Sequence, residues 1–181
     1  MKNDARVRYT IKVCKEALLK LLEEKPINKI TVKEVCDEAG INRATFYSHF
    51  SDCFDLLESI ENDLLSDFEE SFKYINSFDV TDLISAIYDM IDRNETVFRT
   101  LVFKSTNPAI IRRMIDAAHD RSIAYWRTKL KKATESDLEM LYTHLSHGLM
   151  HVVAEGYCRY PKSDVIRFVN SMVQCSAGAF E

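Results

Sequence analysis

Apolar residues recur at intervals of three and four along most of the chain, a period that predicts helices. Ile11, Cys14, Leu18, Leu21 and Leu22 set the stripe of a first helix, Tyr9 to Lys25, which Pro26 stops. Residues 1–8 are polar and expected to fray, with Lys2, Arg6 and Arg8 as a basic arm or simply a solvated terminus. A fourth helix, about 52 to 75, carries Phe54, Leu57, Ile60, Leu64, Phe68, Phe72 and Ile75, with Ser51 or Asp52 as its cap. A rod this long is expected to leave the N-terminal part and enter the rest of the chain.

The most informative stretch is Thr31 to Phe50, TVKEVCDEAGINRATFYSHF. Thr31 with Glu34 three residues on predicts a capping box. Val32, Val35, Cys36 and Ala39 share one face, and Gly40 stands where a left-handed residue ends a helix. Asn42 caps a second helix from Arg43, in which Phe46 and Phe50, with Ile41 before them, face back onto the first. The opposite side presents Arg43, Ala44, Thr45, Tyr47, Ser48 and His49. A short helix with an apolar back and a small, hydrogen-bonding front suits the DNA major groove, where arginine pairs with guanine and tyrosine reaches phosphate. The same spacing also fits a plain two-helix corner of a helical core.

Residues 8 to 57 resemble the N-terminal domain of the TetR family of bacterial transcriptional repressors. The likeness rests on Ala17-Leu18-Leu19, on Ile30 to Gly40, on INRATFYSHF from Ile41 to Phe50, and on Leu56-Leu57. In that family a lysine near a DNA phosphate usually follows the last of these phenylalanines by three residues; here that position is Cys53. The resemblance implies an all-α chain of about nine helices. Residues 1–50 would form a helix-turn-helix DNA-binding domain, and 51–181 a helical effector-binding and dimerisation domain.

Composition adjusts this picture only in places. Four Gly and three Pro leave little room for the turns of a β fold, and no apolar run is long enough to span a bilayer. With no signal-like h-region, a soluble, cytoplasmic protein is expected. The net charge of −4 is divided: residues 1–50 hold ten Lys+Arg against seven Asp+Glu, and 51–181 hold fourteen against twenty-one. A basic head on an acidic body turns one face toward phosphates. Five scattered cysteines, at 14, 36, 53, 158 and 175, make no zinc-ribbon or thioredoxin spacing.

Beyond 78 the pattern predicts five more helices: Asp79 or Thr81 to Arg93, Asn94 to Lys104, Asn107-Pro108 to Lys132, Thr134 to Arg159, and Ser163 to Ala177. The resemblance implies that the last two pair with their copies in a homodimer. Candidate interface residues are Leu138, Leu145, Leu149, Val152, Val169, Met172, Val173 and Ser176, with Gly148, Gly156 and Ala177 allowing close approach. It also implies an effector pocket among the fourth to seventh helices. Tyr88, Phe98, Phe103, Tyr125 and Trp126 are the aromatic candidates, and His119 and His147 the polar ones.

Two further chemistries are open. His144, His147 and His151 lie in one strip with Glu155, and His147 with His151, at i and i+4, could share a metal with a ligand from elsewhere. Three ligands on one straight helix span about 10 Å, too far for one ion. Cys53 opens the fourth helix, where the helix dipole would lower its pKa and suit a redox switch. No GxSxG, P-loop, GxGxxG or HExxH pattern occurs, so no enzyme and no cofactor are expected.

The expectation is a ligand-responsive homodimeric repressor on a pseudo-palindromic operator of double-stranded DNA. Arg43, Ala44, Thr45, Tyr47, Ser48 and His49 would face the groove, with Thr31, Lys33 and Asn42 near phosphates. The alternatives are a helical co-activator or adaptor that kept the fold but not operator binding, and a metal- or redox-sensing regulator.

Overall fold

The computed structural model describes residues 2–103 and 109–180, with side chains from residue 5 onward. Among these residues every regular element is helical. The chain divides into two compact units, Met1–Leu64 and Leu65–Glu181, the division falling inside the fourth helix.

The first unit contains α1 (Lys2–Leu22), α2 (Val32–Ala39), α3 (Arg43–Tyr47) and the start of α4 (Cys53–Glu69). Helix α1 begins seven residues earlier than the expected start at Tyr9, so the polar terminus expected to fray is helical from Lys2. Nothing in Asn3-Asp4-Ala5-Arg6-Val7 breaks a helix, and a stripe marks only the buried part of one. The unit's core gathers Cys14, Ala17 and Leu18 from α1, Val35 and Cys36 from α2, Phe46 and Phe50, and Cys53, Leu56, Ile60 and Leu64 from α4.

Helix α4 gives way at Glu70 to a 3-10 turn, Glu70–Tyr74. The α-helical rod is therefore shorter than its apolar spacing suggested, because Phe72 and Ile75 are only half-buried and do not continue the core face. Asp52 rather than Ser51 caps it, accepting the Phe54 and Asp55 amides at 2.8 and 2.9 Å.

The second unit holds the rest: α5 (Thr81–Arg93), α6 (Glu95–Phe98) running into a π-helical turn (Arg99–Phe103), α7 (Ala109–Lys129), α8 (Glu135–Gly156) and α9 (Lys162–Gly178). Helix α8 packs between α7 and α9, and α9 also reaches α5. The Thr134 capping box closes with Asp137.

Two expected caps fail. Asn94 closes α5 and opens α6 through its backbone only: its carbonyl accepts the Phe98 amide at 3.0 Å, while its side chain goes to Asp67 at 3.0 Å instead of capping the helix. Ser163 lies inside α9, which starts after Pro161, whose carbonyl accepts the Asp164 amide at 2.9 Å. The expected end of the sixth helix at Lys104 and the Asn107-Pro108 start fall outside the described residues. Among the described residues no helix is long and apolar enough to cross a membrane.

Candidate functional site

The geometry of Thr31 to Phe50 follows from local chemistry. Glu34 N–H donates to Thr31 Oγ1, and the Glu34 carboxylate accepts the Thr31 amide in return. At the far end Gly40 takes φ 66°, and its N–H reaches Cys36 O. Asn42 Oδ1 then accepts the Thr45 amide at 2.8 Å and the Thr45 hydroxyl at 3.0 Å, which starts α3.

Helix α3 has five residues, too few to hold its shape alone. Phe46 anchors it. Its ring is fully buried, 5.7 Å from Phe50 and 5.6 Å edge-on to Tyr47. Burying such a ring contributes about 1.5–3 kcal/mol. On the outer face Arg43, Ala44 and Ser48 are exposed and Tyr47 is 57 % exposed, while Thr45 and His49 are half-buried. Thr31, Lys33 and Asn42 are also exposed.

Cys53 is corrected by its surroundings. It is buried at the start of α4, and desolvation, then the Asp52 carboxylate, push its thiol pKa up rather than down. A buried, protonated thiol is a poor redox sensor.

The second unit contains a cavity of ≈ 90 Å³. Its wall is built by Phe68 of α4, Ile75 and Phe78 of the following loop, Ile87 of α5, Met114 and Trp126 of α7, Leu145 and Met150 of α8, and Val173 of α9, among others. Of the seven residues expected to line a pocket, only Trp126 does so. Tyr88 and Phe103 instead pack on Tyr157 in a separate aromatic group, with ring distances of 5.4 and 5.7 Å, and Phe98 joins it through Phe103 at 6.1 Å. Within it Tyr157 donates to Asp92, a bond that raises its hydroxyl pKa to about 12. Tyr125 packs on Phe78 at 5.6 Å, behind the wall. His119 sits outside, between Asp120 at 2.9 Å and Glu139 at 2.8 Å, and these carboxylates raise its pKa. His147 is exposed.

Sequence reading missed most of the wall because it depends on which faces of distant helices meet. One signal was present: Ser122 and Ser146 interrupt apolar stripes at inward-facing positions.

The interface residues also need correction. Leu138, Leu145, Val169 and Val173 are buried within their own chain, while Leu149, Val152 and Ser176 are half-buried. Their stripe is the core face of α8 and α9. Gly156 serves that same packing, since a Cβ there would meet Val165 at 3.0 Å. The exposed apolar residues of these helices are Met140, Phe168 and Met172. His144, His147 and His151 are all exposed, with His151 Nδ1 at 2.9 Å from His147 O. Among the described residues no three His, Cys, Asp or Glu side chains gather to hold a metal ion.

Residues 16–60 match the model of the bacterial regulatory proteins of the tetR family. A curated relative, the uncharacterized HTH-type transcriptional regulator YxbF of Bacillus subtilis (strain 168), is 27 % identical over 105 residues, 58 % of this chain. The match spans only 26 % of that relative's length. The fold is similar to a TetR transcriptional regulator from Streptococcus agalactiae 2603V, with TM-score 0.69 and 23 % identity, covering 96 % of this chain and 98 % of that one. It is also similar to the dihydroxyacetone kinase operon activator DhaS, with TM-score 0.60 and 17 % identity, covering 95 % and 98 %. Residues 16–60 thus carry the N-terminal domain of the bacterial regulatory proteins of the tetR family, and the fold of the chain is similar to that of TetR-type regulators.

Proposed function

We propose that this chain is a cytoplasmic, homodimeric transcriptional repressor that binds a pseudo-palindromic operator and is released by a small-molecule effector. The observation that carries the DNA-binding part is the division of α3: Phe46 is sealed inside while Arg43, Ala44, Tyr47 and Ser48 face outward. That face offers donors and a small-residue gap at the range base edges require. The positive balance of residues 1–50 supports it. Two copies would set their α3 helices about 34 Å apart, one DNA turn.

The cavity in the second unit supports the effector part. A ligand there shifts the protein only by its difference in affinity between the bound and released states. For the dimer, Met140, Phe168 and Met172 are the exposed apolar residues a second copy would cover.

A second reading, an adaptor that has lost its operator, draws on Cys53: where the family carries a phosphate-contacting lysine, this chain buries a thiol. The name of DhaS also leaves activation as a competing sign of regulation. Genomic footprinting with the purified protein tests the operator reading against the adaptor, and transcription from the footprinted promoter with and without the protein gives the sign of regulation. A protected palindrome overlapping a promoter is the expected result. Uniform, sequence-independent protection, or none, sinks the operator reading.

A further inference from the structure

No carboxylate, amine, guanidinium or imidazole side chain lines the cavity of the second unit. The wall is aliphatic and aromatic except for four hydroxyl-bearing residues, Ser77, Ser122, Tyr142 and Ser146. Two of these have committed their protons. Ser122 Oγ donates to Ala118 O at 2.9 Å, and Tyr142 donates to Ile115 O at 2.5 Å. Ser77 lies on the exposed loop. Ser146 Oγ is sealed from solvent and makes no hydrogen bond of ordinary geometry; its polar neighbour is the Tyr142 oxygen, one turn earlier. A buried hydroxyl left unpaired is costly, and a ligand group that meets it removes that cost.

We infer that the cavity takes a small, uncharged, largely apolar molecule carrying one hydroxyl or carbonyl group, which pairs with Ser146 Oγ. The inference rests on the effector reading above and names its ligand class. A carboxylate or ammonium would surrender its hydration in a site that holds no opposite charge. Size narrows the class further. An apolar cavity of about 150 Å³ holds benzene, so ≈ 90 Å³ accepts roughly four or five non-hydrogen atoms without rearrangement.

The test is methyl NMR on the full chain labelled at its methionines. Met114 and Met150 line the cavity, and Met140 and Met172 are surface controls. The probes are butan-1-ol, butyl chloride, butanoate and butylammonium at pH 7. Butan-1-ol and butyl chloride should shift Met114 and Met150 and leave the two controls in place, while neither ion moves any of them. Ser146→Ala should weaken butan-1-ol about fivefold, the worth of one ordinary hydrogen bond, and leave butyl chloride unchanged. Butanoate or butylammonium binding as tightly as the alcohol overturns the uncharged class but keeps the cavity as a ligand site. Equal weakening of alcohol and chloride by Ser146→Ala removes Ser146 from its role. Silence at Met114 and Met150 with all four probes defeats the cavity as a ligand site altogether.

Discussion

Thr31 and Glu34 hold each other from both ends. The Glu34 carboxylate accepts the Thr31 amide at 3.0 Å and its hydroxyl at 2.8 Å, while Thr31 Oγ1 receives the Glu34 amide at 3.3 Å. Lys25 donates to the same carboxylate and, with Thr31, lowers the Glu34 pKa to about 2. A carboxyl whose pKa is lower folded than unfolded stabilises the fold above its unfolded value of 4.5. That contribution is lost as pH falls from there toward 2. Wild type should therefore melt above Glu34→Gln at pH 6, with the gap closing below pH 4.5. Melting curves followed by circular dichroism give the comparison, and a gap independent of pH contradicts it.

Gly40 sits at φ 66° in open space: a Cβ there would meet nothing within 4 Å. The cost of Gly40→Ala is then purely conformational, about 1–2 kcal/mol. Gly40→Asn should cost less, since asparagine tolerates the left-handed region better. Urea titration of both variants tests the order; equal losses would mean that something other than backbone strain is being read.

Phe46 and Tyr47 are neighbours with opposite duties. Phe46→Ala should remove about 3–5 kcal/mol from the first unit. Tyr47→Ala should stay within about 0.5 kcal/mol of wild type, as an exposed substitution does. In operator titrations by gel shift the pattern should reverse for the folded variant: Tyr47→Ala binds at least about tenfold more weakly. Unchanged affinity would count against α3 as the reading helix.

His119 lies between Glu139 and Asp120, and its hydrogen bonds to them raise its pKa above 6.5. The sign is opposite to that of Glu34. The charged ring stabilises the fold fully below its unfolded pKa, and the contribution fades as pH rises through the higher folded value. Thermal melts should show wild type above His119→Gln at pH 6 and converging with it on the alkaline side. Divergence with rising pH would refute the assignment.

The cysteines divide by burial. Cys158 and Cys175 are exposed; Cys14, Cys36 and Cys53 are buried, and burial raises the pKa of all three. Iodoacetamide on the native protein should add two labels by mass spectrometry and reach five only in denaturant. A third label at Cys53 under native conditions would restore the idea of a reactive thiol there.

The head was legible because its instructions are local. Thr31 with Glu34, Gly40 and Asn42 each act through atoms within four residues, so spacing alone states the geometry. The second unit was legible only in outline. Leu145 and Val173 lie on apolar stripes, but a stripe does not say whether its own chain or another covers it; here their own chain does. The cavity was hidden for the same reason. Aromatic content pointed to Tyr88 and Phe103, yet the positions that matter are set by the meeting of α5, α7, α8 and α9, which are far apart in sequence. Asn94 failed as a cap because Met90 and Asp67, outside any capping pattern, claimed its amide groups.

Helix α3 is five residues long and is fastened at a single inward side chain, Phe46. Its outward positions therefore carry almost no responsibility for keeping the protein folded. On the DNA-reading proposal made above, Ala44, Tyr47 and Ser48 can be rewritten one at a time to change the preferred sequence, none of the changes endangering the scaffold. Such a layout lets a duplicated gene drift toward a new target without first passing through an unstable intermediate.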